Sequence, residues 1–214
     1  MLTLHSYFRS SAAFRVRIAL NLKRLDYEQI PVNLLKGEHR QEAHRRRNPQ
    51  GLVPVLETEQ GSALTQSMAI CEYLEERYPE PPLLPESLEA RARVRSLALL
   101  VACEMHPLNN VSVLGYLTDE LGVDEATKLA WYQHWVAKGF TALEARLARE
   151  PETGRFSHGD SPTLADVFLV PQLFNAERFN CDLTPFPTLV RIATHCRNLP
   201  EFKQAAPAEQ PDAV

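Results

Sequence analysis

The stretch FRSSAAFRVRIAL, residues 8–20, sets the frame for the whole chain. It follows a short apolar run, LTLHSY, and passes into a helical pattern. Phe14, Ile18 and Leu22 share one face at i, i+4 and i+8, with Arg17 and Asn21 on another. The chain therefore goes from strand to helix through Ser10 and Ser11, small hydroxyl residues suited to a helix start. Openings of this kind often hold a reactive cysteine pair. Here two serines and two alanines stand in that place.

Working outward, the first 80 or so residues alternate in type. A strand near residues 2–6 leads to a helix over 10–23 and a second strand at YEQIPVNL. An irregular stretch then gives way to VPVLE, a turn at TEQG, a short SALT and a helix, SMAICEYLEERY. The order β-α-β, two strands joined by a tight turn, then a helix predicts a small sheet whose first two strands are parallel. PEPPLLPESLEA, residues 79–90, carries four prolines and reads as a linker. After it the pattern is helical. Val94, Leu97, Ala98 and Val101 form one stripe, Tyr132, Val136, Leu143 and Leu147 another, and Leu189, Ile192 and Cys196 a third. TLAD, residues 163–166, has the form of a capping box. The tail AAPAEQPDAV offers little to bury and reads as mobile. The expected architecture is a small α/β domain followed by an all-α domain.

Composition narrows the function classes. Apolar content of 44% suits a soluble globular chain, and a net charge of −4 gives no reason to expect nucleic acid or an acidic membrane as partner. No apolar run approaches the ~20 residues of a spanning helix, and the N-terminus lacks the pattern of a signal peptide. Cys71, Cys103, Cys181 and Cys196 are scattered, as expected for reduced thiols in a cytoplasmic protein. The seven histidines form no metal-binding spacing, so no metal is expected. The basic run HRQEAHRRRNP reads as a solvated loop, and Trp131 and Trp135 as helix contacts.

Three places can carry chemistry. Ser10 is either a plain helix cap or a cap that also donates to a bound thiolate, which a helix N-terminus favours. With no cysteine at this point, a reactive sulfur would have to come from a ligand. In NPQGLVPVL, Pro54 reads most simply as an edge-strand proline. A cis proline would instead leave the backbone of Val53 to pair with an extended peptide. In TQSMAI, Gln66 and Ser67 stand at another helix start, able to hold a carboxylate-bearing ligand or only to cap.

Together these features resemble the cytosolic glutathione transferases: a thioredoxin-like N-terminal half, V-P before a strand, Q-S at a helix start and an all-α second half. The segments YFRSSAAFRVRIALNLK, QSMAICEYLEERYP, HPLNNVSVL, TLADVFLVPQ and NAERFNCDLTPFP are similar to the zeta class, which includes maleylacetoacetate isomerase. Bacterial maleylpyruvate isomerases are close relatives of that class. The resemblance implies a thioredoxin-like glutathione-binding domain over 1–80, a linker over 81–88 and an all-helical substrate-binding domain over 89–214. It implies that Ser10, with Ser11 beside it, polarises the glutathione thiolate as the catalytic pair. Gln66 and Ser67 would hold the γ-glutamyl end, and Val53 with Pro54 the peptide backbone. His39, His106, Asn110 and Ser112 would line the glutathione site, and Arg9 and Arg178 would bind a diacid substrate through their guanidinium forks.

The implied activity is a glutathione-dependent cis–trans isomerisation of a maleyl keto-diacid in aromatic catabolism, by a homodimer whose partner subunit completes part of the site. Two rivals remain at this stage. One is a transferase or dehalogenase acting on small halogenated acids, which shares the thiolate step. The other is a non-catalytic interaction protein on the same fold. One departure is plain: the family pattern S-S-C-x-W-R reads here S-S-A-A-F-R, with Ala12 and Phe14 in the third and fifth places.

Overall fold

A computed structural model describes residues 1–213; Val214, the end of the tail considered above, lies outside the described residues. The chain divides into two compact units, Met1–Leu83 joined by the segment from Asn198, and Leu84–Arg197.

The first unit is built in the predicted order, with one addition: β1 (Leu2–Ser6), α1 (Ser11–Leu22), β2 (Tyr27–Pro31), a short α2 (Glu42–Arg45) with His44 buried inside the basic run read as a solvated loop, β3 (Val55–Glu57), β4 (Ala63–Thr65) and α3 (Ser67–Arg77). The sheet runs β2-β1-β3-β4. β1 pairs parallel with β2, Leu4 opposite Gln29, and antiparallel with β3, Leu4 opposite Leu56. β4 returns antiparallel to β3 through a tight turn at Gly61. Leu4, Val55 and Leu56 are buried, and α1 packs beside α3.

One expectation changes here. β3 has a neighbour on each side, so the edge-strand reading of Pro54 fails. Pro54 stands just before the strand, where its missing N–H interrupts no ladder, and the Val53–Pro54 peptide is cis. The face of α1 bearing Arg17, set apart from the apolar stripe in the sequence, is covered as well. Every residue from Ser11 to Leu20 is buried, Arg15 and Arg17 included.

The second unit contains α4 (Leu88–Leu99), continued by a π-helical turn over Leu100–Met105, then α5 (Val111–Asp119), α6 (Glu125–Arg149), α7 (Leu164–Arg178) and α8 (Pro187–Arg197). All three predicted apolar stripes are buried. The capping box forms at the start of α7, where the buried Asp166 carboxylate accepts from the N–H groups of Ser157 and Thr163, both at 2.8 Å. The stretch Leu88–Asp119 is long and apolar enough to cross a membrane by length and composition alone, which the sequence reading did not register. Pro107 and the Asn110 cap interrupt it, and Val94, Leu97, Ala98, Val101 and Met105 within it belong to the protein core.

After α8 the chain forms α9 (Pro200–Ala205), which packs on α1 within the first unit. Its partners are the polar residues on the other face of α1. Arg17 Nε donates to the carbonyl of Ala205 at 2.9 Å, and Asn21 Nδ2 to that of Glu201 at 2.9 Å. The tail therefore has something to bury: Ala205, Pro207 and Gln210 are all buried, contrary to its polar look.

Candidate active site

In the first unit Arg9, Ser10 and Ser11 stand at the start of α1, and Ser67 bonds back to that helix. Ser10 is the N-cap: its backbone is extended and its Oγ accepts from the N–H of Ala13 at 3.2 Å. Accepting that bond leaves the hydroxyl proton free to be donated elsewhere, so capping and thiolate binding are compatible on one side chain. Ser11 follows as the first helical residue, buried. The backbone N–H of Ser10 bonds the carbonyl of Tyr7 at 2.9 Å, closing a turn with Phe8 and Arg9 at its centre. Arg9 is exposed, its guanidinium 4.8 Å from the centre of the Phe8 ring.

Val53 is packed in one apolar cluster with Tyr7, Phe8 and Val32. The cis-proline segment and the Ser10 turn therefore share a core. Among the described residues Val53 enters no backbone hydrogen bond outside the sheet. Gln66 caps α3 in a left-handed conformation, φ 68°, rare for a residue with a Cβ and typical of ligand clamps. It is exposed, and its Nε2 donates to Gln50 Oε1 at 2.8 Å. Ser67 is buried and accepts from Arg15 Nη1 at 3.1 Å. His39 lies in a 3₁₀ turn, Glu38–Arg40, whose carbonyl at His39 passes 3.1 Å from where a Cβ on Gly51 would sit. Burial lowers the His39 pKa, Arg40, His44 and Arg45 adding to the effect, and its Nδ1 is buried with no partner among the described residues.

These observations fit a peptide-like thiol ligand. The helix start supplies donors for a sulfur anion, Val53 stands just before β3 with no backbone partner among the described residues, Gln66 and Ser67 supply a second helix start, and His39 holds an orphaned polar atom. The protein's own cysteines point the same way. Burial pushes Cys71 up to about 12 and Cys181 to about 11, and raises Cys196 further, so these three stay thiols near neutrality.

In the second unit His106 ends the π-helical turn, and Asn110 caps α5 by accepting from the N–H of Ser112 at 3.2 Å. Ser112 is exposed. Trp131 braces this bend by donating to the carbonyl of Leu108 at 2.8 Å, and Asn109 donates to the carbonyl of Tyr132 at 3.2 Å. Tyr132 in turn stacks on Phe179, centroids 3.8 Å apart, beneath the guanidinium of Arg178 at 5.5 Å. So α6 supports both the 106–112 bend and the exposed Arg178 at the end of α7. Sequence reasoning missed Arg15 as the partner of Ser67. The FRVR spacing carried the only hint, two arginines in an otherwise apolar helix.

The glutathione S-transferase N-terminal domain family matches residues 4–82, and the corresponding C-terminal domain family matches 130–195. The chain is 49% identical over 211 residues to a maleylpyruvate isomerase from Ralstonia, covering 99% of each chain. It is also 49% identical to a maleylacetoacetate isomerase from Pseudomonas aeruginosa, covering 98% of this chain and 97% of that one. Among solved structures, a holo maleylpyruvate isomerase of the zeta class superposes with a TM-score of 0.97 at 48% identity, covering 99% of this chain and all of that one. A maleylacetoacetate isomerase from Methylobacterium extorquens AM1, with bound malonate and GSH, superposes at 0.96 and 40% identity over 99% of both chains. The thioredoxin-like sheet, the all-α second half and these matches agree: the chain belongs to the glutathione S-transferase family, in its zeta class with the maleylacetoacetate and maleylpyruvate isomerases.

Proposed function

We propose that the protein is a glutathione-dependent cis–trans isomerase of a maleyl keto-diacid, converting maleylacetoacetate to fumarylacetoacetate or maleylpyruvate to fumarylpyruvate. The observation that carries this reading is Ser10, a serine and not a cysteine, capping α1 with its hydroxyl proton available. When bound, glutathione supplies a thiolate for reversible addition to the cis double bond, which becomes single, rotates and re-forms trans as sulfur leaves.

The protein's own residues do the rest. Ser10 donates a hydrogen bond to the sulfur and, with the N-terminus of α1, favours S⁻ over SH. Ser11 keeps that helix start packed. Val53, just before the cis Pro54, pairs with the peptide backbone, Gln66 and Ser67 hold the γ-glutamyl end, and His39 adds a polar contact. His106, Asn110 and Ser112 complete the site from the helical half. Arg9 and Arg178 grip the two carboxylates of the diacid, fixing it for attack and balancing negative charge that builds as the bond forms. In this division the first unit, with the segment from Asn198, binds glutathione and the helices of Leu84–Arg197 bind substrate. The protein works in the cytoplasm as a homodimer.

The test is an absorbance assay of each maleyl diacid with and without glutathione, on the wild type, Arg9→Ala and Arg178→Ala. Glutathione-dependent turnover with a raised KM for the diacid in both variants is the expected result. No turnover of either diacid alongside normal glutathione binding would sink the isomerase and turn attention to halogenated acids.

A further inference from the structure

The turn that carries Arg9 and Ser10 is held from outside itself. Both polar groups of the Phe8 backbone are engaged by charged side chains. Arg17 Nη2 donates to the Phe8 carbonyl at 3.0 Å, and Asp212 Oδ2 accepts from the Phe8 N–H at 3.0 Å. Arg17 is fully buried and anchored twice more, to Ser6 Oγ at 3.0 Å and to the carbonyl of Ala205. Burial lowers its pKa to about 10, and the nearby Asp212 works against that shift, so it stays a cation at neutral pH. The other Asp212 oxygen, Oδ1, is buried with no partner among the described residues. Ala213, beside it, packs on the cluster of Tyr7, Phe8, Val32 and Val53.

The polarity of this arrangement matters. An anion faces the N–H of Phe8 and a cation faces its carbonyl, so each charge meets the dipole end that attracts it. Neither peptide flanking Phe8 can turn over without losing its charged partner and pointing the wrong pole at it. The orientation of those peptides sets where the Arg9 side chain and the Ser10 hydroxyl point, since both follow within two residues in the Tyr7–Ser10 turn.

We propose that Asp212 is a positioning residue for the isomerisation: through the Phe8 N–H it locks the turn that aims Ser10 at the thiol and Arg9 at the substrate. The C-terminal segment thereby acts as a strap over the start of α1. The proposal rests on the roles given above to Ser10 and Arg9.

Three variants of the full chain test it. Asp212→Ala removes the acceptor. Asp212→Asn keeps an acceptor oxygen without the charge. Asp212→Glu keeps the charge but displaces the oxygen by a methylene. Glutathione-dependent turnover is measured well below each variant's Tm, with kcat and the diacid KM separated. Losing a partly buried charge-assisted hydrogen bond predicts a fall of about tenfold in kcat/KM for Asp212→Ala. Asp212→Asn regains most of it, and Asp212→Glu does not. Should Asp212→Ala fail to fold, the order of Asn above Glu still decides, because simple charge pairing with Arg17 predicts the reverse order. A kcat/KM for Asp212→Ala within twofold of wild type, with only Tm lowered, overturns the clamp. Ser10→Ala made in parallel separates the two readings. A loss there with a wild-type-like Asp212→Ala overturns the clamp and leaves the site, and a wild-type-like Ser10→Ala overturns the site and the clamp with it.

Discussion

Arg15 Nη1 donates to Ser67 Oγ at 3.1 Å, tying the first helix to the start of the third. The bond joins two halves of the proposed glutathione site, the thiol end at α1 and the γ-glutamyl end at α3. Both residues are buried, so the bond is shielded from water and the hydroxyl is held in one orientation. Arg15→Leu keeps apolar bulk and removes the donor. The expected outcome is a KM for glutathione raised about fivefold with kcat little changed, since a lost hydrogen bond to a charged group costs about 1.5–3 kcal/mol, only part of it felt by the ligand. Steady-state kinetics with glutathione varied would check this, and an unchanged KM would detach Arg15 from the site.

Ser10 has two roles that different substitutions separate. Ser10→Ala loses the cap, at about 1 kcal/mol of stability, together with the donor to sulfur. Ser10→Asp keeps a cap acceptor for Ala13 but brings a negative charge to the thiolate position. Ser10→Ala is expected to move the acid limb of the pH–rate profile upward by about one unit, as the thiol loses about 1.4 kcal/mol of stabilisation of its charged form. Ser10→Asp is expected to melt close to wild type and turn over far less. If Ser10→Asp were active, the hydroxyl would be a cap and nothing more.

His5 makes the first unit sensitive to acid. Burial in the sheet is the largest influence and lowers its pKa from 6.5; Glu57, whose Oε1 lies 3.4 Å from Nε2, opposes that, while Arg47 and His44 reinforce it. A folded pKa below the unfolded one means the unfolded chain holds more protons below pH 6.5. The stabilising contribution of neutral His5 is thus full above that pH and lost as pH falls through the folded value. His39 and His158, both also lowered by burial, add to the same slope. Thermal melts from pH 7.5 to 5 should show a shallower decline for His5→Gln than for wild type, and parallel curves would remove His5 from the account.

The start of α7 depends on one carboxylate. Asp166 is fully buried and accepts from the Ser157 and Thr163 N–H groups and from Thr163 Oγ1 at 3.0 Å. Asp166→Ala strands two buried backbone donors, at about 1–3 kcal/mol each. Urea unfolding should place the loss at about 3 kcal/mol or more, with kcat per folded molecule unchanged.

The element order, the parallel first pair of strands, the two site helices and the capping box were legible because their signals are local. LTLHS alternates, TLAD carries both halves of a reciprocal cap, and Gln66–Ser67 stand where an apolar helix begins. What escaped was long-range. Arg17 and Asn21 stand off the apolar stripe with nothing local to show what they meet, and their acceptors, the carbonyls of Ala205 and Glu201, lie 188 and 180 residues further on. Pro54 looks like an edge proline because β3 has only three residues, too few to reveal that it has a neighbour on both sides. Asp212 sits in a polar tail whose sequence says nothing of the N–H it meets.

The attachment of α9 to α1 bears on how the chain is made. Residues from Asn198 onward leave the ribosome only after the whole of Leu84–Arg197. The sheet of the first unit can pair early, yet Arg17 waits for Ala205 and Phe8 waits for Asp212 until synthesis is nearly over. A nascent chain halted at Arg197 would contain every residue assigned to thiol and diacid binding and still present a buried guanidinium short of an acceptor. Full-length translation thus becomes a condition for the first helix to settle, which gives cellular proofreading a clear difference between finished and interrupted copies.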